Sequence, residues 1–363
     1  MTRAPTPILE YTARMRFGIF GSAQADSKDL GPETGQGFRD YLDYGVEAEA
    51  LGFHSCFLVE HHFTGWNQVS ATLMLQTALA MRTTTLRLGS AVIVLPWHNP
   101  VLLAEQAATL DLISGGRLDF GIGKGYRHSE FKGFSIPQDE ADARFEESIK
   151  VMTKAFASRT RFSHRGRFWR FEDIVVEPPP AQQPHPPFWV AAGSDASIRK
   201  AAARGCNLIL DQYASPEAHG RRIALYRAER EAGGRSFDPM QVAVARQVYV
   251  ANDKAEAEAA LARAALYTQR TVDVSRTPGG KVTGSHVLSY AGTPGATEAN
   301  TLFDTPDRIC EKLEALRAVG VEYVLLTPMG AKEQLRRFAR DVMPAFAGTR
   351  RRAITPAVER TQV

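Results

Sequence analysis

Three short polar motifs each follow an apolar segment, and their residue types suit acid–base chemistry and anion binding. Glu60-His61-His62 comes directly after the apolar run His54–Val59. A histidine can act as a general acid or base near neutral pH, or can hydrogen-bond a reactive anion. Because neighbouring side chains on an extended chain point in opposite directions, we expect one of the two histidines to be structural.

The other two motifs are Gly123-Lys124-Gly125 and the run Gly193-Ser194-Asp195-Ala196-Ser197. The first offers flexible backbone N–H groups and one cation. The second offers N–H groups and hydroxyls at a predicted helix start, where the helix dipole is positive. Each motif alone is equally compatible with a glycine turn or an ordinary helix cap. Together, on neighbouring strands, they favour a phosphate site.

A metal site is not expected from these residues. The three side chains of Glu60-His61-His62 are consecutive, so they cannot all converge on one ion, and no HxH or HExxH motif is present. Trp97, Phe131 and Phe134 are candidates for an apolar pocket wall, although each is equally compatible with packing.

The elements that position these motifs are eight predicted strands, nearly every one followed by a helix. The predicted strands are Arg16–Phe20, His54–Val59, Leu88–Leu95, Leu118–Ile122, Phe188–Ala192, Cys206–Leu210, Gln241–Val250 and Glu322–Leu326. This alternation predicts an α/β fold, a (β/α)8 TIM barrel with insertions after strands 1, 4 and 7. An open doubly wound sheet would need a linker or a charge shift that the sequence lacks. In a barrel, functional residues lie at the carboxyl ends of the strands.

The domain organisation follows from the same pattern. Residues 1–14 are expected to form a flexible extension, residues 15–346 one barrel domain, and residues 347–363 a tail. Ser70 is predicted to cap a helix that runs to Met81. The segment Thr271–Thr301 is rich in Gly, Ser and Thr, and its length suggests a functional loop, for which we expect a lid role.

Composition excludes several classes of protein. Lys and Arg number 44 against 40 Asp and Glu, and this weak excess does not indicate a nucleic-acid partner. No apolar run reaches the roughly 18 residues of a membrane span. Cys56, Cys206 and Cys310 lie in apolar segments at wide spacing, which favours free thiols in a reducing compartment and a cytoplasmic enzyme.

Five segments in order resemble the bacterial luciferase-like flavin-dependent monooxygenase family. They are FGIF, EHHF, GSAVIVLPWHNPVLLAEQAATLDLISGGRLDFGIGKG, FWVAAGSDASIRKAAARG and TLFDTPDRICEKLEALRAVGVEYVLL, and the resemblance covers nearly all of residues 15–346. It implies a barrel enzyme that takes reduced FMN from a separate NAD(P)H:flavin reductase. The flavin reacts with O2 to give a C4a-hydroperoxyflavin, which oxygenates a small organic substrate. The resemblance also implies a homodimer.

The resemblance assigns roles near the flavin ring to three parts of the chain. His61 matches the family's histidine beside the flavin C4a atom. Ala91 and Val92 match a pair joined by an unusual cis peptide under the ring. Tyr126 is expected to touch the ribityl chain or the substrate.

The flavin phosphate is assigned to two loops by the same resemblance. Lys124 falls where bacterial luciferase has an arginine, so the charge is kept and the bidentate fork is lost. Gly193, Ser194 and Ser197 fall on the second phosphate loop, where the glycine replaces an acidic residue and can contribute only its backbone.

Two alternatives remain open at the level of sequence. One is an oxidoreductase of the same fold that uses the deazaflavin coenzyme F420 for hydride transfer. The other is a non-catalytic flavin-binding protein, against which His61 and the long loop argue. The sequence does not identify the substrate.

Overall fold

The computed structural model describes residues 14–25, 34–66, 68–280, 293–328 and 332–348. The predicted extension at 1–14 and the predicted tail at 347–363 lie almost entirely outside these residues. Among the described helices, none has the length and apolar character needed to cross a membrane.

Eight parallel strands close into a barrel, which confirms the predicted fold. They are β1 (Arg16–Gly21), β2 (Ser55–Leu58), β3 (Arg87–Ser90), β4 (Leu118–Gly123), β5 (Phe188–Ala191), β6 (Asn207–Leu210), β7 (Val242–Val250) and β8 (Tyr323–Pro328). Each strand pairs with the next in chain order, and β8 pairs with β1, as in the register Gly18↔Leu325. The carboxyl ends of all eight strands therefore meet at one mouth.

The helices lie mostly between consecutive barrel strands. They are α1 (Gln36–Ala50), α2 (Thr72–Ala80), α3 (Pro100–Ile113), α4 (His128–Gly133), α5 (Ala141–Ala157), α6 (Asp195–Arg204), α7 (Pro216–Ala232), α8 (Lys254–Asp273), α9 (Ala296–Asn300), α10 (Pro306–Ala318) and α11 (Lys332–Asp341). Local sequence sets their starts. The Asn99 side chain, for example, accepts hydrogen bonds from the N–H groups of Val101 and Leu102 at the start of α3.

The insertions occur after strands 1, 4 and 7, as predicted. The insertion after β4 is the most elaborate among the described residues: it holds α4, α5 and an antiparallel hairpin, Phe162–Arg165 with Arg170–Ile174. After β7, α8 and α9 are followed by the short strand Leu302–Asp304, which pairs with the end of β7. The predicted lid, Thr271–Thr301, lies partly outside the described residues.

Two apolar layers stabilise the barrel. The barrel interior is filled by Phe57, Trp189, Ile209, Ala243, Ala245, Tyr323 and Leu325. Gly89 makes room for this filling, because a Cβ at that position would lie 2.3 Å from the Phe57 ring. The larger apolar layer lies between the strands and the helices. All three cysteines are free, with Cys56 and Cys206 buried and Cys310 half-buried.

Two local predictions were wrong. The predicted strand Leu88–Leu95 is interrupted: β3 ends at Ser90, and Ile93–Val94 forms a separate short strand beside Ile122 and Gly123. Ser70 does not cap α2, which begins at Thr72 after Ala71 and has no side-chain cap. The Thr72 hydroxyl instead donates to the carbonyl of Val59, tying the helix start to the end of β2.

Candidate active site

A cavity of about 1260 Å³ opens at the mouth of the barrel. Residues at or near the carboxyl ends of all eight strands line it, among them Gly21, His61, Val92, Lys124, Ser194, Gln212, Gln247 and Thr327. Thr268 and Thr271 in the last turns of α8 also contribute to the wall. This is the position where enzymes of the barrel fold carry their active sites.

His61 lies at the inner end of the cavity and is held by a buried carboxylate. Its Nδ1 is 3.1 Å from Oε1 of Glu130, a residue of α4 with only 2% of its side chain exposed. The same oxygen accepts the backbone N–H of His62 at 3.0 Å. Because this oxygen already acts as an acceptor, we assign the proton of His61 to Nδ1, which leaves Nε2 as an acceptor.

Burial lowers the pKa of His61 below its ordinary value of 6.5, against the opposing effect of the Glu130 carboxylate. The imidazole is therefore neutral at pH 7. A neutral ring with a fixed Nδ1–H and an available Nε2 can accept a proton or a hydrogen bond.

Glu60 has a structural role beside His61. Its Oε1 accepts from Nε2 of His62 at 3.1 Å and from Nε2 of His98 at 2.7 Å, and its Oε2 accepts the backbone N–H of Val94 at 2.7 Å. Burial raises the pKa of Glu60, but these hydrogen bonds outweigh burial and lower it overall. His62 is thus the structural member of the histidine pair, as expected from the alternation of side chains.

Arg127 is a site residue that the sequence did not reveal. It precedes α4, is 1% exposed and lines the cavity. Its guanidinium lies 5.6 Å from the centre of the Tyr126 ring, and its Nη1 is 3.7 Å from Oε1 of Glu130. Burial raises the pKa of Tyr126, which also lines the cavity, so its phenol stays protonated at neutral pH. The region after Gly125 reads as a polar loop in the sequence, and only the fold reveals that two of its charges are buried.

The end of β3 forms a backbone wall of the cavity. The Ala91–Val92 peptide bond is cis, as expected from the family resemblance, and both residues line the cavity. β4 passes this wall closely. A Cβ at Gly121 would lie 1.7 Å from the carbonyl oxygen of Ser90, and one at Gly123 would lie 2.5 Å from Cγ2 of Val92.

Lys124 lies at the outer rim of the cavity. Its side chain is 52% exposed, and its Nζ pairs with Oδ1 of Asp142 at 2.9 Å. The ammonium group is therefore at the mouth and already has an anionic partner. If Lys124 binds a ligand, its ammonium group must either break the ion pair with Asp142 or interact with Asp142 and the ligand together.

The start of α6 forms the other part of the rim. Ser194 and Ser197 make a reciprocal cap, in which the Ser197 N–H donates to Oγ of Ser194 and the Ser194 N–H donates to Oγ of Ser197. Both serines line the cavity, and so does Lys200. Gly193 precedes this cap without forming part of the cavity wall itself.

Besides Oε1 of Gln68, three buried side-chain oxygens on the cavity wall lack a hydrogen-bond partner among the described residues. They are Oε1 of Gln212, Oε1 of Gln247 and Oγ1 of Thr327. These residues belong to the ends of β6, β7 and β8. These oxygens can accept hydrogen bonds from a ligand or from water, and no local sequence motif marks them.

The predicted aromatic wall is elsewhere. Trp97 stacks on Phe134 at 5.3 Å and meets Phe131 and His62 edge to face at 5.5 and 5.4 Å. These rings pack together behind His62, which corrects the expectation that they line the cavity. Trp66 is an aromatic residue that does line it. Among the described residues, no group of His, Cys, Asp and Glu has a geometry suited to a metal ion.

The family model for luciferase-like monooxygenases matches residues 15–323. The chain belongs to this family.

Individual relatives match over much of the chain. The oxygenase component of the flavin-dependent trigonelline monooxygenase of Acinetobacter baylyi is 26% identical over 95% of this chain and 100% of its own length. The FMNH2-dependent dimethylsulfone monooxygenase of Pseudomonas putida is 28% identical over 82% of this chain and 85% of its own. The chain spans 62% of the length of a further relative, the uncharacterized protein y4vJ of Sinorhizobium fredii, at 30% identity.

A similar solved structure is the monooxygenase RslO1 from Streptomyces bottropensis. It superposes with a TM-score of 0.76 at 26% identity, over 92% of this chain and 100% of that chain.

Proposed function

We propose that this protein is the oxygenase of a two-component system that uses reduced FMN and O2 to oxygenate a small organic substrate. One observation carries the proposal: a single cavity connects a rim suited to a phosphate with the neutral, carboxylate-held His61. Membership of the luciferase-like monooxygenase family supports the reaction class.

The residues present fit FMN from end to end. Lys124, Ser194 and Ser197 would hold the phosphate at the start of α6, where the helix dipole favours an anion. The Ala91–Val92 backbone would support the flat ring. The unpaired oxygens of Gln212 and Gln247 can accept hydrogen bonds from a ligand. When bound, reduced FMN would supply the activation of O2.

His61 acts at the reacting end in this proposal. Its Nε2 can hold or remove a proton, while Glu130 keeps the proton on Nδ1 and stabilises positive charge on the ring. The buried surroundings of His61 limit the access of water, which would protect reactive intermediates of the oxygenation from side reactions with water.

A separate reductase is part of the proposal. The trigonelline relative is named as an oxygenase component, which supports a divided system here. The name of the dimethylsulfone relative supports FMNH2 as the form that the oxygenase uses.

We also propose a homodimer formed through α2 and α3. Large apolar side chains are exposed on or beside these helices: Met74, Met81, Leu102, Leu112 and Ile113. Such a patch is typical of a protein interface. Sedimentation of the full chain tests this part, since a monomer at micromolar concentration contradicts it.

Rapid mixing of the enzyme–FMNH2 complex with O2 tests the main proposal. The expected result is an absorption spectrum that passes through a state distinct from both reduced and oxidised FMN. Binding of F420 without binding of FMNH2 would instead establish the deazaflavin alternative. Binding of FMN with oxidation no different from that of free FMNH2 would indicate a non-catalytic flavoprotein.

A further inference from the structure

We propose that the substrate carries a carboxylate and that Arg127 binds it. This inference rests on the proposed function, since it concerns the substrate of that same cavity. It assigns to Arg127 a role in recognition that the flavin does not require.

The guanidinium of Arg127 is buried with unused donors. Its Nε and Nη1 have no hydrogen-bond partner in the part of the chain that the structure describes. The Glu130 oxygen at 3.7 Å from Nη1 is too distant for a hydrogen bond. Arginine stays protonated in proteins. The Arg127 side chain is 2% exposed and also interacts with the hydroxyl of Tyr126, so it places a positive charge and the unpaired Nε and Nη1 donors on the cavity wall. Burial of such a group is costly unless a ligand supplies acceptors.

Arg127 lies on the His61 side of the cavity. One Glu130 oxygen stands between the two side chains, 3.1 Å from Nδ1 of His61 and 3.7 Å from Nη1 of Arg127. Lys124 instead turns to the exposed Asp142 at the rim. The phosphate rim and the buried guanidinium are thus separate cationic positions, and the second adjoins the group proposed to act on the substrate.

The nearby carboxylates do not fulfil the need of Arg127 for acceptors. Glu60 is occupied by His62, His98 and the N–H of Val94. The nearer oxygen of Glu130 accepts from His61 and from the N–H of His62. Carboxylates and phosphates are the anions whose oxygens match the N–H groups of arginine. Because the flavin phosphate is proposed to bind at the rim, the anion at Arg127 is inferred to be a carboxylate.

Binding of matched probes tests the proposal without the natural substrate. The probes are benzoate, phenylacetate, nicotinate and 2-furoate, each compared by calorimetry with its neutral amide, with and without bound FMN. The expected result is that wild-type protein binds at least one acid more tightly than its amide. Arg127→Gln should weaken binding of that acid about 10- to 100-fold and leave the amide unchanged.

Two further variants complete the experiment. Arg127→Lys keeps the charge and should retain an intermediate preference for the acid. Arg144→Gln removes an arginine that pairs with Glu140 instead, and should change neither affinity. Thermal unfolding of each variant verifies that it is folded.

Three results would overturn the inference: no preference for any acid in the wild-type protein, an unchanged preference in Arg127→Gln, or an equal loss of FMN affinity in that variant. The last result would assign Arg127 to the flavin. Failure of FMNH2 to bind the wild-type protein, by contrast, would contradict the proposed function. The preference for acids over amides could still be measured on the protein without flavin.

Discussion

The charged side chains at the two ends of the cavity differ in their exposure to solvent. At the rim, Lys124 and Asp142 are 52% and 77% exposed and form one ion pair. At the inner end, Glu130 and Arg127 are each 2% exposed and share their surroundings with His61. The rim can exchange its partners for water at little cost, whereas a change at the inner end leaves a buried group unpaired.

This contrast suggests a division of labour. Water and salt screen the rim, so its contacts position a ligand without contributing much energy each. Solvent screens charges only weakly at the inner end. The hydrogen bonds there also fix the orientation of the His61 ring and the position of its proton. We therefore expect substitutions at the inner end to be costly and substitutions at the rim to be mild.

Replacement of His61 tests the inner end most directly. His61→Ala should lower the rate of product formation about 10²- to 10⁴-fold, the usual contribution of a general acid or base, while FMN still binds. The measurement is single-turnover product formation from preloaded enzyme–FMNH2. His164→Ala serves as control, since this histidine lies on the hairpin and pairs with Glu147 of α5. Unchanged turnover in His61→Ala would remove His61 from the mechanism.

Glu60→Ala should destabilise the fold by about 3–5 kcal/mol, because His62, His98 and the N–H of Val94 lose their buried acceptor. Urea unfolding measures this loss. Glu146→Ala at the rim is the matched change; that carboxylate pairs with Lys200 and Arg204 but is 29% exposed, so the loss should be about 1 kcal/mol or less. Equal losses would contradict the contrast between the two ends.

The pH dependence of stability should reveal the contribution of the Glu60 charge. The pKa of Glu60 lies below its ordinary value of 4.5, so its stabilising effect is present above that value and is lost as the pH falls through the lowered pKa. The difference in unfolding free energy between wild type and Glu60→Gln should therefore shrink below about pH 4.5. A difference that stays constant down to pH 3 would show that the charge of Glu60 does not matter.

Lys124→Ala should weaken binding of FMNH2 by about 1 kcal/mol, measured by anaerobic titration. A charged hydrogen bond is worth about 1.5–3 kcal/mol, but Lys124 is half exposed and must give up Asp142. Substitution of the ion-pair partner should have the opposite effect. Asp142→Asn should tighten FMNH2 binding, because it frees the ammonium group of Lys124. Weaker binding in both variants would place the phosphate elsewhere.

Ser197→Ala should have the smallest effect. The substitution removes half of the reciprocal cap of α6 and one hydroxyl at the rim, so we expect a loss of about 0.5–1 kcal/mol in stability. Thermal unfolding measures it. A loss several times larger would mean that the rim is as sensitive as the inner end.

The position of the rim residues at the barrel mouth could be predicted from the sequence because their motifs are local. Gly-Lys-Gly after a strand and Gly-Ser at a helix start are contiguous motifs, and the strand–helix alternation predicted the barrel that brings them to one mouth. The position of His61 on the cavity wall could be predicted for the same reason, because the residue closely follows β2. The reciprocal cap at the start of α6 is equally local, because Ser194 and Ser197 are three residues apart in the sequence.

The partners of His61 could not be predicted in this way. Glu130 lies 69 residues from His61 in the chain, in a segment whose composition resembles an exposed loop. Whether such a charge is buried depends on packing against the rest of the barrel. The orphan oxygens of Gln212, Gln247 and Thr327 have the same origin, since three separate strands bring them together.

The closeness of β4 to the end of β3 has a consequence for changing this enzyme by directed evolution. At Gly121 any side chain would collide with the Ser90 carbonyl oxygen, so a random library loses nearly every variant at that codon. Gln212 and Gln247 line the cavity from the ends of β6 and β7, and neither takes part in this close contact between β3 and β4. New specificities should accordingly accumulate on the far strands, while the β3–β4 wall stays the same from one variant to the next.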